Sequence, residues 1–416
     1  MVTLGKFSFG IGDRFQHQGS AQLRAVQKAV EHGVDITPVW NKSNREHLLV
    51  HSEPYETRTE ADNAAASLGW KRPYLVDADH INLSNVDRFI EHADFFTIDV
   101  AGYIGKTPKA QILVGYSNAM PAPGTMFEIP GLAEPILVTG NLLHEMATKF
   151  LAAIDEAATI YRHIASIKGS GNFITEISMD EVSVAQTPVD MFFILKMLAN
   201  FGVPAQTIAP KFTGRFNKGV DYIGDISKFA REFEDDIRVI DFAVKNFGMP
   251  KNLKLSVHSG SDKFSIYPVM AEIIGRLDKG IHVKTAGTTW LEEVIGLALA
   301  GGEALDVARE IYSRSYERFD ELCAPYADVI DIDYAQLPLP AVVQQWDSEK
   351  FATTLRHIPG HPNYNPGFRQ LIHVGYKVAS EMGSRYTDLL KKHHDIIGQC
   401  VEENIFDRHL KRLFNL

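Results

Sequence analysis

The sequence predicts an α/β protein, a (β/α)8 barrel of the TIM type with an insertion after the fourth strand and a C-terminal helical appendage. Three observations lead there. Short β-branched or aromatic runs recur down the chain, each followed by polar or glycine residues and then by helix-like sequence, which is the mark of βα units. Eight such runs occur, the number that closes a parallel sheet inside a ring of helices. The 416 residues, 45% apolar and 23% charged, suffice for a large core without disulfide staples.

The runs are "KFSFGIGDR" (6 to 14), "DITPVWN" (35 to 41), "PYLVDADHINL" (73 to 83) and "DFFTIDV" (94 to 100) in the first half. In the second half they are "NFITEISMDEV" (172 to 182), "AQTIAPKFTG" (205 to 214), "LKLSVHSG" (253 to 260) and "IHVKTAG" (281 to 287). Helices are expected between them. "SAQLRAVQKAVEHG" offers Ser20 as a cap and Gly33 as a stop, and "TPVDMFFILKMLANFG" opens on Thr187 and Pro188 and closes on Gly202. Residues 227 to 248 form a longer amphipathic pattern, and 289 to 323 read as a helical pair broken at "AGGE".

After the fourth run the pattern is interrupted by "NAMPAPGTMFEIPGLAEP", a proline- and glycine-rich stretch too long for a plain loop. A folded insertion over 101 to 171 is therefore expected within a barrel domain of residues 1 to 330. From 331 to 416 the barrel pattern stops, and a loop followed by two or three helices is expected to pack on the barrel.

Composition narrows the function. A net charge of -10 and a pI near 5.9 argue against nucleic acid as a partner. No basic, apolar leader and no run of about 18 apolar residues occurs, so neither export nor a membrane is indicated. Cys323 and Cys400 stand far apart without a CxxC pair, which fits a reducing, cytoplasmic setting. "GIG" at 10 to 12 lacks the rest of a dinucleotide fingerprint, and no GxxxxGK[ST], GxSxG or HExxH occurs. "GTTW" at 287 to 290 could cradle a phosphate, although Thr288 could equally cap the next helix.

In a barrel, chemistry gathers where the C-terminal ends of the strands converge. The strand ends here carry Asp13 and Arg14; Asp77, Asp79 and His80; Glu176, Asp180 and Glu181; Lys211; His258, Ser259, Ser261, Asp262 and Lys263; and His282 and Lys284. Three histidines at three strand ends, with carboxylates beside them, suit a divalent cation such as zinc, manganese, cobalt or nickel. Each alone reads more readily as a hydrogen-bonded structural residue, and only the three together bring the ligand reading level with it. His282 and Lys284 share a face, whereas Asp79 and His80 alternate, so both point inward only if the strand has already ended. Glu176, between Ile174 and Ile177, is costly to bury without partners; a pocket role and an ion pair with Lys211 or Lys284 are both open.

The blocks "VDADHINL", "TEISMDEV", "IAPKFTGRFNKGVDY", "KLSVHSGSDKFSIYP", "HVKTAGTTWLEE" and "HIPGHPNYNPGFRQLIHVGYKVA" resemble the tagaturonate/fructuronate epimerase family, which includes tagatose 4-epimerases. The resemblance runs over nearly the whole chain. It implies an isomerase that interconverts D-tagaturonate and D-fructuronate with a divalent metal and an acid/base pair. In this sequence it makes Asp79 the proton acceptor and Glu176 the donor, with Asp180 and Glu181 as alternatives for the latter. It makes His80, His258 and His282 the metal set. Substrate contacts are expected from Arg14, Lys211, Ser259, Asp262 and Lys284. The partner is a small keto-sugar or keto-uronate, and the apolar C-terminal helices offer a face for the barrel or for a homo-oligomer. Rival readings are a metal-dependent ketose isomerase or aldolase on the same barrel, and a non-catalytic sugar-acid-binding barrel.

Overall fold

Eight parallel strands close into a barrel in the computed structural model, which describes residues 2–285 and 288–416. They are β1 (Phe7–Gly12), β2 (Ile36–Ser43), β3 (Leu75–Ile81), β4 (Phe95–Asp99), β5 (Ile174–Ser178), β6 (Thr207–Ala209), β7 (Lys254–His258) and β8 (Ile281–Lys284). Each pairs with its sequence neighbour, and β8 closes on β1 with Phe7 opposite Ile281 and Gly10 opposite Lys284. All eight predicted runs are strands. Seven are shorter than their runs because the polar residues at the end lie beyond the ladder, whereas β2 continues two residues past its run to Ser43. Ala286 and Gly287, which end the eighth run and open "GTTW", lie outside the described residues.

The lumen is divided along its axis. Toward the N-terminal end Leu4, Val39, Leu75, Phe95 and Ile174 form a buried apolar plug separate from the main core, which lies between sheet and helices. Above the plug the inward positions turn polar, since Asp77 follows Leu75, Thr97 follows Phe95 and Glu176 follows Ile174 at the strand period of two. Gly10 makes room in this layer: a Cβ there would lie 2.8 Å from Cγ of Lys284.

The helices follow the expected stops and starts with one difference. The first runs Gly19–Glu31 and starts before Ser20, because Asp13 already gathers the turn, accepting from the N–H groups of Phe15, Gln16, His17 and Gln18 at 2.6–3.0 Å. Thr187 and Asp190 form the reciprocal cap of Pro188–Asn200. The insertion holds helix Ala110–Ala119, a two-stranded ribbon (Met126–Phe127 with Ile136–Leu137) and the 29-residue helix Gly140–Lys168.

Beyond residue 330 the chain is more broken than expected. Short helices at Ser348–Leu355, Pro366–Val374, Tyr376–Glu381, Ser384–Lys392 and His394–Glu402 are divided by the stretch 356–365, by Gly375, by Met382 with Gly383, and by His393. They pack closely on the barrel: a Cβ on Gly296 of helix Thr288–Ala300 would lie 2.7 Å from Cα of Ile397. Helix Pro366–Val374 is drawn onto the barrel's C-terminal end, where Arg14 donates to the carbonyl of His373 (3.1 Å) and Trp290 to that of Ile372 (2.9 Å). Among the described residues no helix is long and apolar enough to cross a membrane.

Candidate active site

At the C-terminal end of the lumen the ammonium of Lys284 sits among three carboxylates. Its Nζ lies 2.6 Å from Asp77, 2.8 Å from Asp79 and 3.0 Å from Glu176, and it also donates to Thr97. Strand register builds this cage, because Asp77 and Asp79 on β3, Thr97 on β4, Glu176 on β5 and Lys284 on β8 all face inward in adjoining layers. Burial works against each charge, yet the three carboxylates hold Lys284 well above the usual lysine range. Against the same burial, Lys284 and His258 keep Glu176 well below the carboxylate range, and Lys284 and His80 bring Asp79 down to about 2. Asp77 differs: burial, reinforced by Asp79 and Glu176, outweighs Lys284 and pushes it up to about 7.

Beside the cage stands a second cluster. His258 Nε2 bonds Glu176 at 2.8 Å, while its Nδ1 lies 3.3 Å from Asp180, which accepts from Ser178 at 2.6 Å. The ring of His80 meets that of His258 at 5.3 Å between centroids, and its Nδ1 lies 3.5 Å from Asp99. His80 reaches this position through a local irregularity. The β3–β4 register shifts between Ala78 and Ile81, and His80 has φ 52°, a conformation that a non-glycine residue adopts rarely and at a cost of about 1–3 kcal/mol. Adjacent residues that would face opposite ways therefore serve one site. Burial disfavours both imidazolium ions, but Asp79 with Asp99 raises His80 to about 10, and Asp180 with Glu176 raises His258 to about 9.

Two groups bring their ligand atoms within 4.8 Å of one another: His80 with Asp180 and His258, and His80 with Asp99 and Glu181. The first group suits a divalent ion, combining two imidazoles with a carboxylate. Among the described residues, buried Nδ1 of both His80 and His258 has no hydrogen-bond partner of good geometry, which leaves each nitrogen open to a metal.

The other expected residues are distributed differently. His282 does not join His80 and His258. It lies one layer deeper, fully buried against Phe95 (5.2 Å), with Nδ1 on Ser8 at 2.9 Å, and burial lowers it to about 3. Ser259 donates to the carbonyl of Lys284 at 2.6 Å. Asp262, expected at the pocket mouth, is wholly buried between Arg369 (2.8 Å), His409 (2.9 Å) and His357 (3.2 Å) of the C-terminal extension. Asn404 also reaches it at 3.5 Å, and the stretch Glu403–Leu410 is π-helical, which brings residues five apart such as Asn404 and His409 to one side. Arg14 is paired with Glu46 at 3.0 Å and lies 3.9 Å over the ring of Tyr376. Lys211 is half-buried, and its ammonium has no partner among the described residues.

The polar run after β7 is thus a hub. Ser259 ties β8, Ser261 accepts from the N–H of Gly219 at 2.8 Å, Asp262 ties the extension, and Lys263 donates to the carbonyls of Asn217 (2.9 Å) and Val220 (2.7 Å). The strand-end reading pointed to Asp77 without giving it a role, and it passed over Asp99, Thr97 and Asn41. Asn41, on β2 opposite Asp77, is buried, and among the described residues both its amide atoms are unpartnered. A polar residue on the inward parity of a strand end was the signal available for each.

With this geometry established, comparison with known proteins is informative. The sequence profile described as UxaE, tagaturonate epimerase, matches residues 1–413. A Thermotoga maritima protein described as tagaturonate/fructuronate epimerase is 28% identical over 424 residues, covering 98% of this chain and 80% of that protein. The crystal structure of fructuronate-tagaturonate epimerase UxaE from Cohnella laeviribosi with one glycerol matches with a TM-score of 0.82 at 23% identity, over 99% of this chain and 82% of that one. Its native form gives 0.80 with the same identity and coverage. These structural matches establish a shared fold; the profile, which spans nearly the full length, establishes that the chain belongs to the tagaturonate epimerase family.

Proposed function

We propose that this chain is an isomerase that interconverts D-tagaturonate and D-fructuronate at the barrel mouth. The observation that carries the reading is the Lys284 cage with its three carboxylates beside the histidine pair. These charges face the lumen at the C-terminal strand ends, where barrel chemistry gathers, and clustered strongly shifted groups there mark functional sites. D-tagatose and D-fructose, which lack the carboxylate, are the corresponding neutral pair.

The two keto-acids differ at a hydroxyl-bearing carbon β to the ketone, whose C–H the carbonyl does not acidify. Reversible aldol cleavage inverts it without a redox cofactor. The hydroxyl loses its proton, the bond to the α carbon breaks, and its electron pair enters an enediolate while the β carbon becomes an aldehyde. The aldehyde turns, the same α carbon attacks its other face, and the proton returns to the new alkoxide. Asp79, kept ionised, accepts that proton. Lys284 bridges Asp79 to Glu176 (2.8 and 3.0 Å) and shares the charge change between them. Glu176 is fully buried and acts through Lys284 and His258 as a positioning residue. His80, His258 and Asp180 would hold the divalent ion, zinc, manganese, cobalt or nickel, which when bound supplies Lewis-acid polarisation of the ketone. Lys211 is a substrate contact on the β6 side.

Incubation with tagaturonate in deuterated water tests the reading. Fructuronate should form with no deuterium at the inverted carbon. Deuterium there, or turnover confined to an aldose–ketose isomerisation, would sink it.

A further inference from the structure

Resting on that function, we infer that Lys218, with Asn217 and His373, forms the subsite that recognises the substrate carboxylate and selects an acidic keto-sugar over a neutral one. Most cations around the barrel mouth are already engaged: Arg14 by Glu46, Lys284 by its three carboxylates, Arg369 by Asp262, and Lys263 by backbone carbonyls. Lys218 is half-buried, and among the described residues no carboxylate lies within ion-pair distance of it. It sits against the loop that begins at His258. A Cβ on Gly260 would lie 3.5 Å from its Cδ and 3.7 Å from its Nζ, and Gly260 has φ 66°, which glycine adopts freely.

The loop that carries Lys218 is firmly held. Lys263 grips Asn217 and Val220, Ser261 and Arg369 grip both sides of Gly219, and Gln370 donates to the carbonyl of Lys218 at 3.1 Å. Such fixation is what orienting a carboxylate against the reacting carbon requires. Hydrogen-bonding capacity is left over beside it. The Cβ of His373 lies 3.5 Å from the Cβ position of Gly219; among the described residues neither ring nitrogen of this buried histidine has a partner, nor has Nδ2 of buried Asn217. Buried polar groups without partners are rare, and a ligand that accepts hydrogen bonds would satisfy these.

Steady-state kinetics of the metal-loaded enzyme test this, with KM for tagaturonate read beside Ki of tagatose as a competitor. Lys218→Met should raise KM for tagaturonate about 10- to 100-fold, the range for a lost charge-assisted hydrogen bond, while Ki of tagatose stays within twofold. Lys218→Arg should recover most of the loss, and Lys211→Met should shift both ligands together. An unchanged KM in Lys218→Met, an equal shift of both ligands, or a carboxylate-selective loss in Lys211→Met instead would overturn the assignment. A wild-type protein that turns over no tagaturonate would count against the proposed function itself, which keeps the two failures apart.

Discussion

Two buried lysines in one barrel lumen have opposite fates. Lys254, on β7 near the apolar plug, donates to the carbonyls of Gly5 and Lys6 (3.1 Å to the latter) and has no carboxylate beside it among the described residues, so burial pushes it down to about 7. Lys284, at the mouth end of β8, is equally enclosed yet is held well above the ordinary range by Asp77, Asp79 and Glu176. The residue type and the burial are the same, so the neighbours decide. One end of the barrel is built for closure and the other for charge, in keeping with chemistry at the C-terminal face and stability at the N-terminal one.

The largest expected effect comes from breaking the charged end. Lys284→Met should lower kcat by at least about 10³-fold, since it removes both the bridge between Asp79 and Glu176 and the charge that keeps them ionised, and it should cost about 3–5 kcal/mol of stability. Kinetics on the folded fraction, with urea unfolding beside them, separate the two. Asp262→Ala sharpens the contrast from the other side. It leaves the buried guanidinium of Arg369 without its carboxylate, and stability should again fall by about 3–5 kcal/mol, but kcat of the folded fraction should stay within about tenfold of wild type. A loss as deep as that of Lys284→Met would place Asp262 in the chemistry after all.

Gly10→Ala is expected to be milder. The added methyl meets the Lys284 side chain at 2.8 Å and must shift it, so kcat should drop about 10-fold with little change in KM, as measured by steady-state kinetics. The smallest effect on turnover belongs to Lys254→Met, at the closed end of the barrel. From about pH 7 to 10.5 the unfolded chain binds a proton that the folded chain does not, so wild-type stability should rise with pH across that window; below it both states are protonated and the penalty is constant. Thermal melts between pH 7 and 10 should show the rise in wild type and its absence in the variant.

The contrast also explains what the sequence could reveal. The strand ends were legible because acids, histidines and glycine interrupt most of the runs of β-formers where the ladder stops. Depth was not. Parity puts His282 on the same face as Lys284, but only the barrel's stagger shows that it lies a layer below His80 and His258, against Phe95. The inward turn of both Asp79 and His80 was hidden as well, because it depends on one left-handed residue and a register shift. Asp262 looked like a pocket group because its partners, His357 in a loop and Arg369 and His409 on helices, are 95 to 147 positions away and bear no local relation to β7.

Metal content and epimerase turnover, measured together on wild type and His258→Ala after stripping and restoring divalent ions, test the central claim most directly. Wild type should lose tagaturonate turnover on chelation and regain it with stoichiometric ion, while the variant should neither retain the ion nor turn over. Full turnover in the stripped wild type, or full ion binding in the variant, would contradict it.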